Sequence, residues 1–160
     1  MITKILFAGD GGQGVQMIAG ALTRAAFATG LFVAELPNYG LEQRGGVSLA
    51  FITISDKPIS YPKFTKPDIL LVMSPQAKER TLPYVSSEVT VYSFETCQAQ
   101  MKEGGVKDTS ANLYYLGCVA KQLAKFSILS SESVLEAVKE KLGAKPNWIE
   151  NEQAYMAGLK

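Results

Sequence analysis

The feature that most limits the fold is an apolar run that stops abruptly in glycine. Ile2 to Ala8 is interrupted only by Thr3 and Lys4 and ends at Gly9-Asp10-Gly11-Gly12-Gln13-Gly14. A short apolar run bounded by turn residues reads as a buried strand closing in a tight turn. Beyond the glycines, Val15, Ile18, Ala19, Leu22, Ala25 and Ala26 recur at helical spacing, and Gly30 stands where a helix C-terminus favours glycine. Leu31 to Leu36 reads as a second strand, closed by Pro37. Residues 1–36 are therefore predicted to form a βαβ unit, parallel and right-handed.

The same alternation continues. Asn38 to Gly46 is a polar, glycine-rich loop, and Val47 to Ile54 is a strand ended by the turn Ser55-Asp56-Lys57-Pro58. Ile69 to Met73 is a short strand, after which Ser74-Pro75 has the form of a helix start, Ser as cap and Pro in the first turn. Val89 to Phe94 is a further strand. Leu113, Leu116, Ala120, Leu123 and Ala124 place a helix over 109–126. Ser130 or Ser131 opens another that Gly143 ends, and Asn147 with Glu150 has capping-box spacing for a last helix. Strands alternating with helices imply a Rossmann-like open, mostly parallel sheet with helices on both faces. A chain of 160 residues accommodates this as a single domain, 1–160.

Composition removes several functions. A net charge of +1 without a run of one sign lacks the footprint of a nucleic-acid binder. No stretch approaches the ~18 apolar residues a membrane helix needs. The first residues carry no small-residue cleavage site, which predicts a cytoplasmic location. Cys97 and Cys118 are far apart, forming neither a CxxC pair nor an iron–sulfur ligand set, and the sequence has no histidine. The commonest general base and zinc ligand is thus missing. If the chain serves redox chemistry, the electron carriers sit on another chain.

The glycine motif supports three readings. As G-x-G-x-x-G between a strand and a helix, its backbone N–H groups could hold a phosphate, and Glu35 stands where a ribose-binding acid would in a dinucleotide site. The plain reading is a turn that lets helix pack on sheet. Gly9-Asp10-Gly11 followed by Asn38 also has the outline of a thiamine-diphosphate motif, in which the Asp and a second Asn bind Mg²⁺; here Tyr39 occupies that second place and is a poor ligand.

The third reading uses more of the chain. GDGGQGVQMIAGALTRAAFATG, then PNYGLEQRGGVSLAFITIS, then PDILLVMS and the ending NEQAYMAGLK together resemble the gamma subunit or gamma domain of the pyruvate/2-oxoacid:ferredoxin oxidoreductase family. The pairing of G-x-G-G-Q-G with Y-G-x-E-x-R-G-G carries the specificity, while Leu41 and Gln43 depart from many relatives. The resemblance implies a non-catalytic subunit of an enzyme that oxidatively decarboxylates a 2-oxoacid, 2-oxoglutarate or pyruvate, to acyl-CoA. It implies alpha, beta and, where one exists, delta partners, with ferredoxin or flavodoxin as acceptor and thiamine diphosphate, Mg²⁺ and iron–sulfur clusters on those partners. No cofactor is expected on this chain alone beyond a contact with coenzyme A. Neither nucleic acid nor membrane is expected as a partner, and the isolated chain could form a homo-oligomer. The candidate binding residues are Gly11, Gly12, Gln13 and Gly14 as backbone donors, Arg44 as a donor fork, Tyr39 as a stacking face, and Gly45 and Gly46 as points of close approach. Arg44 could equally pair with an acid such as Glu42, and Tyr39 could pack under its own loop. A free-standing nucleotide-binding domain remains the alternative.

Overall fold

The computed structural model describes residues 1–39 and 46–160. Five strands, β1 (Ile2–Asp10), β2 (Phe32–Tyr39), β3 (Val47–Ser55), β4 (Ile69–Val72) and β5 (Thr90–Ser93), form one sheet in the order β2-β3-β1-β4-β5. Six α-helices join or follow them: α1 (Val15–Ala28), α2 (Pro75–Thr81), α3 (Phe94–Glu103), α4 (Ala111–Lys125), α5 (Ser131–Leu142) and α6 (Trp148–Gly158).

The sheet is mixed. β1, β4 and β5 pair in parallel, whereas β3 is antiparallel to both β1 and β2. This corrects the predicted βαβ unit: β2 runs in the direction of β1, but β3 lies between them and takes the hydrogen bonds of both. Nor does Pro37 close β2, which continues to Tyr39. A proline is tolerated because β2 is the edge strand, where an N–H can be absent without breaking a ladder.

Short-range chemistry sets most of the helix ends. Gly30, at φ +86, ends α1; its N–H donates to Phe27 and that of Leu31 to Ala26, the paired bonds of a Schellman cap. Ser74 caps α2 and Ser130 caps α5 through side-chain oxygens. The capping box at Asn147 does not form: Asn147 makes no side-chain cap, and Glu150 pairs with Lys107 instead.

Alternation along β1 divides the core. Ile5 and Phe7 face a layer built from α1, α4, α5 and α6, including Ile18, Leu22, Leu116, Val138 and Tyr155. Leu6 and Ala8 face a thinner layer of Phe51, Phe64, Leu70 and Ala77. Fully buried apolar side chains contribute roughly 1.5–3 kcal/mol each, so the thicker layer dominates stability. Tyr155 enters it only because its hydroxyl donates to the Ser131 carbonyl at 2.7 Å.

α4 and α6 cross at glycine. A methyl group at Gly117 would run into the Tyr155 carbonyl oxygen, and one at Gly158 into that of Tyr114. Gly20 lies mid-helix in α1, where an added Cβ comes no closer than 4.0 Å to Lys141 Nζ. Gly117→Ala and Gly158→Ala are expected to lose about 1–3 kcal/mol each, whereas Gly20→Ala should gain about 0.5–1 kcal/mol. Urea unfolding of the three variants tests this; equal stability at all three positions would show that the crossing is not close.

Candidate functional site

β1 and β4 are adjacent and parallel, so the turns leaving their carboxyl ends face each other at the edge where open α/β sheets hold ligands. Asp10, Gln13 and Ser74 lace these turns together. Ser74 Oγ accepts from the Ala77 N–H at 3.0 Å and donates to Asp10 Oδ1 at 2.6 Å. Gln13 Oε1 accepts from the Asp10 N–H at 2.7 Å, while its Nε2 donates to the Met73 carbonyl at 3.2 Å. Gly9 makes room: a Cβ there would come within 2.8 Å of Gln13 Oε1 and of Met73 Cε.

The turn itself needs glycine at Gly12 and Gly14, which sit at φ +93 and +79. Gly14 is the N-cap of α1 and offers no side-chain acceptor, so first-turn N–H groups and the positive end of the helix dipole face the turn. The Gly11 N–H donates to the Gly46 carbonyl at 3.0 Å, and the Gln13 N–H to the Asp10 carbonyl at 3.1 Å. Among the described residues, the N–H groups of Gly12 and Gly14 have no such acceptor. The turn's donors are therefore these two and the start of α1, with Gln13 acting as a brace.

A cavity of about 200 Å³ opens beside the turn. Gly12, Gln13, Gly14 and Met73 form one wall, and Asp108, Thr109, Ala111, Asn112 and Tyr115 the other. The second wall is the start of α4, whose N-cap Ser110 gives its hydroxyl to Asn151 Oδ1 at 2.7 Å and leaves the helix without a side-chain cap. Two helix N-termini thus address one small cavity, an arrangement that favours an anionic group. Asp108 moderates that potential. A larger groove of about 930 Å³ lies between α3, α4 and α6, lined by Gln100, Glu103, Tyr114 and Met156 among others. It is walled mainly by helix side chains and includes no residue of the glycine turn, so the smaller cavity is the better candidate.

The second sequence motif reaches the same edge. Tyr39 ends β2, is 67% exposed and pairs with Ser48, which in turn pairs with Gly9. Gly46 is bonded to Gly11, so both ends of the β2–β3 loop stand beside the glycine turn. Arg44 and Gly45 fall outside the described residues.

Two alternatives lose their geometry. Glu35 pairs in register with Ile52, which pairs with Ile5, so it sits well back from the glycine turn and two strands away; its carboxylate accepts from Thr23 Oγ1 at 2.8 Å. A ribose-binding acid needs β2 beside β1. Asp10 is likewise held by Ser74, and β3 separates it from Asn38, so these residues do not assemble a thiamine-diphosphate metal site.

Sequence reasoning gave no role to Gln16, Asp108, Thr109 or Asn112. Gln16 Nε2 donates to Ser48 Oγ at 2.9 Å and to the Leu49 carbonyl at 2.8 Å, tying α1 to β3. Asn112 belongs to a helix start distant in sequence from the motif, and no spacing points to it. Cys97 and Cys118, also distant in sequence, meet in the core: the Cys118 thiol hydrogen-bonds Cys97 and lowers its pKa against the opposing effect of burial, while Cys118 is pushed up.

Comparisons with known proteins agree on one lineage. The family model described as pyruvate ferredoxin/flavodoxin oxidoreductase matches residues 4–106. The 2-oxoglutarate synthase subunit KorC of Methanothermobacter marburgensis is 47% identical over a stretch covering 48% of this chain and 42% of that one. The chain thus spans less than half the length of the KorC relatives it matches. The pyruvate/ketoisovalerate oxidoreductases common subunit gamma of Thermococcus kodakarensis is 31% identical, covering 86% of this chain and 85% of that one. Among solved structures, the keto/oxoacid ferredoxin oxidoreductase gamma subunit of Geobacter sulfurreducens superposes with a TM-score of 0.76 at 22% identity, covering 99% of this chain and 95% of that one. The 2-oxoglutarate:ferredoxin oxidoreductase of Magnetococcus marinus, solved with 2-oxoglutarate, coenzyme A and succinyl-CoA bound, gives 0.76 at 18% identity, over 98% of this chain and 30% of that one.

The glycine turn makes an ordered prediction. A Cβ at Gly12 meets open space, whereas one at Gly14 would lie 2.5 Å from Asn112 Nδ2. Gly12→Ala should therefore cost only the left-handed backbone term, about 1–2 kcal/mol, and Gly14→Ala distinctly more. Equal denaturation midpoints would show that Asn112 does not press on position 14.

Proposed function

The chain belongs to the pyruvate ferredoxin/flavodoxin oxidoreductase family, and from that premise we propose that it is the gamma subunit of a 2-oxoacid:ferredoxin or flavodoxin oxidoreductase that converts 2-oxoglutarate or pyruvate to acyl-CoA. In this reading the chain takes no chemical step itself. The decarboxylation on thiamine diphosphate with Mg²⁺ and the electron transfer through iron–sulfur clusters belong to the alpha, beta and any delta subunits. The residue inventory supports this division, since two cysteines cannot supply a four-thiolate cluster and there is no histidine to act as base.

The observation that carries the proposal is the bond from the Gly11 N–H to the Gly46 carbonyl. It joins the two motifs whose pairing marks the family, and sets both at the sheet edge beside a cavity addressed by two helix N-termini. Gly12 and Gly14, with Arg44 supplying a charged fork, would hold a phosphate of coenzyme A, and Tyr39 would offer its exposed ring to the adenine. Gly45 and Gly46 would let backbone approach that ligand. The chemistry of the cavity favours this over a free-standing nucleotide-binding domain, for which Glu35 is misplaced.

The purified chain is expected to reduce no dye with 2-oxoacid and coenzyme A and to show no visible chromophore, while the complex reconstituted with its partner subunits turns over. Turnover by the chain alone would end the assignment. Arg44→Ala should leave the melting temperature of the isolated chain nearly unchanged. In the reconstituted complex it should weaken coenzyme A use or assembly by roughly ten- to a hundred-fold, the loss of a charge-assisted contact of about 1.5–3 kcal/mol. Unchanged coenzyme A kinetics and assembly in that variant would remove Arg44 from the site.

A further inference from the structure

Residues 56–68 contain neither helix nor strand, yet they are firmly seated. Phe64 is buried and packs edge-on against Phe51 at 5.3 Å, Pro67 is buried, and Thr53 Oγ1 donates to the Pro62 carbonyl at 3.4 Å. Pro58, Pro62 and Pro67 restrict the backbone further. The segment is thus a strap lying over β3 on the thinner face of the sheet. Long irregular segments held in one conformation are uncommon and usually functional.

The strap's charges are one-sided toward solvent. Its acids are engaged within the chain, Asp56 with the N-terminal ammonium at 2.7 Å and Asp68 as acceptor from the Lys4 N–H at 2.7 Å. Lys57, Lys63 and Lys66 are exposed and, among the described residues, form no ion pair. Tyr61, 75% exposed, stands among them.

Beside the strap lies uncovered apolar sheet. Phe32, Ala34 and Leu36 of β2 pair with Ser55, Thr53 and Phe51, so their side chains share the strap's face one strand away, about 4.8 Å in backbone spacing. Ile2 is opposite Ser55 on the same face. Ile2 of the central strand β1 and Phe32 and Leu36 of β2, an edge strand whose outer side is unpaired among the described residues, are all exposed. Exposed aromatic and aliphatic side chains on the same sheet face as a lysine-bearing strap offer the apolar contact and polar margin of a protein interface.

We propose that the strap 56–68 and the outer face of β2 form the docking surface for an acidic face of another subunit of the oxidoreductase. The proposal rests on the gamma-subunit reading. Charge complementarity selects the occupant: a second copy placed across a two-fold axis would set lysine against lysine. Three prolines preform the surface, so little ordering entropy opposes docking.

The test measures association of the full chain with its purified partner subunits across a salt series. Lys57→Glu/Lys63→Glu/Lys66→Glu should weaken assembly at least ~10-fold at low salt and flatten its salt dependence, with the milder Gln triple falling between. Phe32→Ser/Leu36→Ser should weaken assembly while keeping the wild-type salt slope. Unchanged melting of the free variants separates these effects from misfolding. Wild-type affinity and slope in the charge-reversed chain would overturn the docking proposal and leave the gamma-subunit reading standing. Failure of the wild-type chain to bind the partner subunits would end both. Loss of self-association in sedimentation, with heteromeric assembly intact, would assign the surface to a second copy and refute the acidic partner.

Discussion

β3 is hydrogen-bonded along both sides, and the arrangement of the ligand edge follows from its direction. It runs antiparallel to β1 from Ile2↔Ser55 to Asp10↔Val47, and antiparallel to β2 from Phe32↔Ser55 to Tyr39↔Ser48. Because β2 and β3 are antiparallel neighbours, the loop joining them must emerge where β2 ends. That is also where β1 ends, since β1 and β2 point the same way. The glycine turn and the second motif meet because of strand direction, and the Gly11–Gly46 bond fixes the meeting.

The same insertion decides what the edge can recognise. A dinucleotide site requires an acid at the tip of the strand beside β1, and β3 holds that place with Ser48 opposite Gly9. Glu35 is left to accept from Thr23 and steady α1. What remains at the edge is backbone: two left-handed glycines, two helix starts without side-chain caps, and Gln13 holding the turn by bonds at both ends of its amide. On the function proposed above, such a site would bind an anionic group by backbone geometry, and Arg44 of the adjoining loop would add the charged side chain that the edge itself lacks.

Legibility in the sequence tracked how local each cause was. The strand before the glycines, the helix end at Gly30 and the Ser74 cap depend on residues within a few positions, and each forms, with β1 running two residues past Ala8 to Asp10. Strand order depends on which distant segments pair, and Leu31 to Leu36 carries no mark of whether its neighbour is β1 or β3. Pro37 has the local form of a strand stop, because edge position is invisible to its sequence neighbours. Asn147 and Glu150 have the right spacing, but Lys107, distant in sequence, captures the glutamate. Of the candidate site, the glycine wall was legible and the α4 wall was not, because Asp108, Thr109 and Asn112 arrive there only through the packing of α4 on α1 and α6.

The two faces of the sheet divide the remaining tasks. The face toward α1, α4, α5 and α6 is closed, with its deepest hydroxyl, that of Tyr155, satisfied by Ser131, so it carries the stability. Among the described residues, the opposite face has α2, a short turn and the strap over it, and this cover stops short of β2. An uncovered apolar strip costs solubility in an isolated chain, and it persists without that cost only where another surface closes it. The strip runs from Ile2 and Phe32, at the amino ends of β1 and β2, to Leu36, which is in register with Phe51 and through it with Leu6, while the glycine turn follows Asp10; four residues of β1 separate Leu6 from Asp10, roughly 13 Å of extended backbone. That separation exceeds the ~7–10 Å beyond which sites usually act additively, so a partner docked on the strap would leave the cavity beside the glycine turn undistorted.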